Sequence, residues 1–98
     1  MSTISPEIWL LAADGHDVIK ASAVVAVHRD ASGAVAVRLN SMEHTAMTLM
    51  TGSSDMPTPP DFHRQVARLI AELADSSGGH LVRADHDEHG WHWVTEPL

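Results

Sequence analysis

Residues 17–40, DVIKASAVVAVHRDASGAVAVRLN, decide the fold. Residues of strand type alternate on both sides of Asp30-Ala31-Ser32-Gly33, a tetrapeptide suited to a type I turn with Gly33 in the left-handed conformation. That is a hairpin. Residues opposite each other in an antiparallel pair share a face, so the register can be drawn on paper: Val27 opposite Val35, Val25 opposite Val37 and Ala23 opposite Leu39. The first arm is long for one strand, and a bend is expected near Ala21-Ser22.

Ahead of this hairpin, residues 7–13 (EIWLLAA) read as a short apolar strand that ends at Asp14-Gly15, a dipeptide that tolerates the positive φ of a tight turn. Behind it, a turn through Ser41-Met42-Glu43 leads to HTAMTLMT, residues 44–51, where Met47 and Leu49 join the face of Val37 and Val35. Four strands thus form a meander with one strongly apolar side. The second side carries Val24, Ala26, Ala34, Ala36 and Ala46 where Lys, Glu or Thr would ordinarily face water.

Residues 52–60, GSSDMPTPP, form a loop into a helix, because successive prolines and small polar residues fit no ladder. Thr58 is expected to cap that helix, with Pro59 at its first position. Phe62, Val66, Leu69, Ile70 and Leu73 recur at helical spacing, with Arg64, Arg68, Glu72 and Asp75 on the opposite arc. Ser76-Ser77-Gly78-Gly79 ends the helix. The rest reads as a second hairpin, in which residues 81–84 and 91–95 flank an acidic, histidine-rich turn. The expected fold is α+β: an antiparallel β-meander of about four strands packed by one amphipathic helix, plus a C-terminal β-hairpin. It fills a single domain over 1–98, with a flexible tail at 1–6.

A chain of 98 residues has room for one small core, and the absence of cysteine excludes disulfides and thiolate metal sites. Thirteen acidic residues against six Lys and Arg give a formal charge of −7, which repels nucleic-acid backbones and anionic lipid. Neither is an expected partner. The first residues carry no basic start before their apolar stretch, so they do not read as an export signal, and the expected location is the cytoplasm.

The polar turn carries the chemistry worth weighing. Asp85, Asp87, Gly90 and Glu96 keep the spacing of a calcium loop, although His89 occupies a position where calcium wants oxygen. His86, His89 and His92, with Asp85 or Asp87, would suit zinc better, but a spacing of three converges on a helix rather than on a strand. The turn therefore reads first as a solvated hairpin tip. Gly52-Ser53-Ser54 is no nucleophile elbow, and Gly78-Gly79 follow a helix instead of opening one, so no catalytic residue and no cofactor is expected. Trp91 and Trp93 share one side of their strand, where they fill the core or make a binding surface.

Together these features predict a small non-enzymatic protein–protein interaction module. It is expected to be homodimeric or to bind another protein, through the face of Val24, Ala26, Ala34, Ala36 and Ala46 or through Trp91 and Trp93. The alternative is a small metal-binding protein, a sensor or a metal-dependent hydrolase, that holds Zn or Ca with the turn at 85–92.

Overall fold

The computed structural model of the chain describes residues 7–40, 46–76 and 78–98. The expected tail at 1–6 and the turn at Ser41-Met42-Glu43 lie outside them. The fold is α+β, with seven strands in two sheets and one helix among the described residues. In chain order these are β1 (Glu7–Leu11), β2 (Val18–Lys20), β3 (Val24–Arg29), β4 (Val35–Leu39), β5 (Ala46–Met50), α1 (Phe62–Leu73), β6 (Gly79–Asp87) and β7 (Gly90–Pro97).

The bend expected near Ala21-Ser22 is a 3-10 turn, Ala21–Ala23, and it divides the meander between two sheets. β2 stays with β1, and the parallel pairing of β1 with β6 makes a four-stranded sheet in the order β2-β1-β6-β7. β3, β4 and β5 form a separate antiparallel sheet. The two are stitched together where Ala13 N–H donates to Thr48 O at 2.9 Å. Thus the C-terminal hairpin enters the sheet through the first strand of the chain, not through the meander.

Turn chemistry at residues 30–33 is as the sequence implies: Gly33 has φ +90°, and its N–H donates to Asp30 O. Asp30 N–H donates to Ala34 O, however, which sets the loop one residue further along the chain than the paper register assumed. Val27 therefore faces Val37, and Arg29 faces Val35. A shift of two residues leaves every side chain on its expected face. A bulge between Val24 and Ala26 does not: Val24 pairs with Leu39 and packs on the core, while Val25 turns out to 59% exposure. A second bulge, between Val35 and Ala36, lets both Leu49 and Met50 be buried.

Between the sheets and α1 lie Ile8, Leu10, Val35, Val37, Leu49, Met50, Phe62, Val66 and Val82. Leu69, Ile70 and Leu73 pack against this core, and Arg64, Arg68, Glu72 and Asp75 are exposed, as the helical spacing requires. The helix begins at Phe62 with Asp61 as N-cap, so Thr58 does not cap it. Thr58 is instead buried, at 4% exposure. Its hydroxyl donates to Gly33 O at 2.7 Å and accepts from Arg29 Nε at 3.2 Å, while its carbonyl accepts from an Arg29 terminal nitrogen at 3.1 Å. A buried hydroxyl must be paired, and here the pairing fastens the loop before α1 to the β3–β4 turn.

Thr58→Val should therefore destabilise the protein by about 2 kcal/mol, because Gly33 O and Arg29 both lose a partner. Gly33→Ala should cost a similar amount, about 2 kcal/mol, since a Cβ there would stand 2.7 Å from Thr58 Oγ1 on a backbone of positive φ. Urea unfolding measures both. Losses under about 0.5 kcal/mol would show that this contact holds nothing in place.

Candidate functional site

On the outer face of the three-stranded sheet, alternation sets two cross-strand rows. One runs His28, Ala36, Thr48, and the other Ala26, Arg38, Ala46. Ala34 precedes the inward Val35 and so projects to this outer side as well. Of the residues expected here, Ala26, Ala34, Ala36 and Ala46 are in place, and Val24 is not, because the bulge turns it inward. Val25 takes its position on the surface. The face has small side chains and is mildly apolar, with Arg38 and His28 exposed within it.

Trp91 and Trp93 face the other way. The Trp93 ring stacks on Phe62, with centroids 4.6 Å apart, and Trp91 meets the same phenyl at 6.5 Å. Their indole N–H groups donate to Met56 O and Phe62 O, each at 2.9 Å. Both are half-buried and bind the hairpin to the start of the helix.

The β6–β7 hairpin closes on a two-residue turn, Glu88-His89, and so draws the histidines and acids of the expected tip into strands. Asp85 pairs with His92 on the outer face, while His86 pairs with Trp91 on the inner face and lies edge-on to its ring at 4.6 Å. Asp87 Oδ1 accepts the His89 N–H, and the His89 ring is fully in solvent beside Glu88. Strand alternation thus splits the His86, His89 and His92 set. Among the described residues, no group of three or more His, Asp or Glu side chains is placed to hold an ion. Calcium spacing fails similarly, because Glu96 lies on β7, where it engages Arg83 at 3.4 Å.

Sequence reasoning missed Arg83. Its guanidinium lies 3.2 Å from Asp85 as well as beside Glu96, and Asp85 is held below the usual carboxylate range by the His86 N–H and by Arg83. Only the strand spacing of Arg83 and Asp85 hinted at the pair. Asp30 is likewise lowered, by the Ser32 hydroxyl and the N–H groups of Ala34 and Ser32, and Asp14 by the N–H groups of His16 and Asp17. A serine–histidine pair also went unseen: Ser76 Oγ lies 2.9 Å from His80 Nε2. Since Ser76 donates its hydroxyl proton to Leu73 O at 2.7 Å, the imidazole is the donor to Oγ. That arrangement finishes the helix rather than activating a nucleophile.

Two open clefts stand out among the described residues. One, of about 270 Å³, lies past the end of β1 among Leu11, Ala12, Met50, Arg83 and Trp91. The other, of about 240 Å³, is lined by Ile8, Lys20, Ala21, Ser22, Ile70 and Ala74. Both fall below the ~300–1,000 Å³ of ordinary ligand pockets. Among the described residues no helix is long and apolar enough to cross a membrane. Comparison with protein-family models, with curated proteins and with solved structures returns no match.

The lowered carboxyls contribute to the acid behaviour. Asp14, Asp30 and Asp85 ionise more readily in the folded chain than in the unfolded one. Their contribution to stability is therefore complete above the ordinary carboxylate range and is lost as the pH falls through their lowered values. Urea midpoints should fall between about pH 5 and about pH 2.5, and Asp30→Asn should lower the midpoint at about pH 5 and flatten that decline. An Asp30→Asn protein with the parent's full acid dependence would contradict the assignment.

Proposed function

We propose that the chain is a non-enzymatic protein–protein interaction module that works as a homodimer, its copies joined through the outer face of the three-stranded sheet. The supporting observation is the pair of rows in which Ala36 lies between His28 and Thr48, and Ala26 and Ala46 flank Arg38. Small side chains let a second sheet approach to about 10 Å, and Val25, already 59% exposed, gains the most by being covered. Rotation about a two-fold axis makes such a patch its own complement.

Three strands of five or six residues span roughly 10 Å by 17 Å of sheet, below the ~800 Å² that a standard interface takes from each partner. The rim, with Val25, His28, Arg38 and Thr48, must contribute, and the dimer is one of moderate affinity. The non-enzymatic reading has its own support: the Ser76–His80 pair is spent on the helix end, and the hairpin carboxylates of Asp85, Asp87 and Glu96 are held by Arg83 or by backbone N–H groups.

Light scattering tests it. At about 50 µM the parent should have twice the mass of Ala36→Asp, whose circular dichroism should stay that of the parent because the side chain points outward. Equal, monomeric masses for the two would end the proposal.

A further inference from the structure

Each of the two sheets has two edges, and three of the four are blunted. β2 is three residues long and carries the exposed Lys20. β3 is bulged at Val25 and lies along α1. β5 has its Thr48 carbonyl occupied by Ala13 N–H. Such devices keep an edge from pairing with foreign strands. Among the described residues β7 lacks a bulge, a Lys or Arg side chain and an occupied outward carbonyl along its edge: it runs eight residues in unbroken register with β6, it meets α1 through the inward Trp93 ring on Phe62, and Pro97 stands only at its end.

Which of its backbone groups are free follows from the ladder. Leu98 N–H donates to Gly79 O, and the two-residue turn closes on Asp87 and Gly90, so the even-numbered residues of β7 bond to β6. Trp91, Trp93 and Thr95 therefore turn N–H and C=O away from the sheet, and no backbone partner for them exists among the described residues. Pro97 shares their phase, as a proline in a strand must if it is not to break the ladder.

We infer that the open edge of β7 receives an extended basic segment of another protein, added to the sheet as a fifth strand. This rests on the reading of the chain as an interaction module, but not on the face through which its copies join. Charge selects the occupant. The outer face of β7 itself presents His92, Val94 and Glu96, Asp85 and Asp87 lie one strand further in on β6 beside Arg83, and Glu88 projects from the turn, so acids outnumber cations around this edge. A strand with Lys or Arg on its outer side and apolar residues on the side of Trp91 and Trp93 answers this pattern. A second copy answers it poorly: antiparallel pairing centred on Trp93 would bring Glu96 of one copy opposite Gly90 of the other, next to Asp87 and Glu88.

The probe is a blocked heptapeptide alternating Lys and Val, with its Glu–Val counterpart as control, titrated into the full chain by calorimetry and by amide chemical shifts. The Lys–Val peptide should bind and shift Trp91, Trp93 and Thr95, and the Glu–Val peptide should bind at least about tenfold more weakly. Thr95→Pro removes an outward N–H without touching the β6 ladder and should weaken binding about tenfold, whereas Thr95→Ala should match the parent. Asp87→Asn with Glu88→Gln keeps the turn and should narrow the preference for Lys over Glu several-fold. Equal binding of the two peptides, or equal binding by Thr95→Pro and Thr95→Ala, would overturn the inference. So would protection of Trp93 and Thr95 amides that grows with protein concentration alone, since that would make the occupant a second copy. The Ala36→Asp dimer experiment reads a different face, so either result can fail without the other.

Discussion

Phe62 is where the parts of this fold meet. Its ring is completely buried, stacked on Trp93 and tilted against Trp91, and its carbonyl takes the Trp93 indole proton. The chain holds only four aromatic residues, and three of them make this cluster. Contacts of this kind add about 0.5–1.5 kcal/mol to the burial of the rings themselves. Phe62 also opens α1, so the cluster fixes where the helix starts and thus which of its faces meets Val35 and Val37. Thr58, just ahead of it, anchors the same segment to the β3–β4 turn. The helix is thereby fastened to each sheet by a separate contact.

That constraint reaches the surface of the hairpin. The two-residue turn at Glu88-His89 decides at once which face a β7 side chain occupies and which way its backbone bonds point. Trp91 and Trp93 must face Phe62, and in this register the residues that face inward are the ones whose N–H and C=O point away from β6. Closing the core with tryptophan therefore leaves the outward N–H and C=O groups of Trp91, Trp93 and Thr95 without a backbone partner among the described residues. The turn also separates His86 from His92, so the histidines that cluster in sequence do not cluster in space.

What the sequence disclosed was local. The turn at Asp30 to Gly33 was legible because a positive φ has few residue solutions, and the helix because Phe62, Val66 and Leu69 repeat at its period. The alanine face followed from strand alternation, except at Val24 and Val25, adjacent valines whose exchange by a bulge leaves no compositional trace. The partition into two sheets was not legible. It depends on Ile8 and Leu10 of β1 pairing in parallel with His80 and Val82 near the other end of the chain, and nothing in either segment names the other. Thr58 was misread for the same reason: it looked like a cap by its neighbours, but its partners, Gly33 and Arg29, are 25 and 29 residues away. Of the interaction surfaces, the small-residue face was visible in the sequence, whereas the open edge of β7 required the ladder's phase.

The claim that joins core and surface is that β7 turns alternate backbone groups outward, and amide hydrogen exchange read residue by residue by NMR on the isolated protein tests it most directly. His92, Val94 and Glu96 should be protected by their bonds to β6, and Trp91, Trp93 and Thr95 should exchange about a hundredfold faster or more. Protection of Trp93 and Thr95 equal to that of Val94 would mean that the edge is already covered and that this account of the hairpin is wrong.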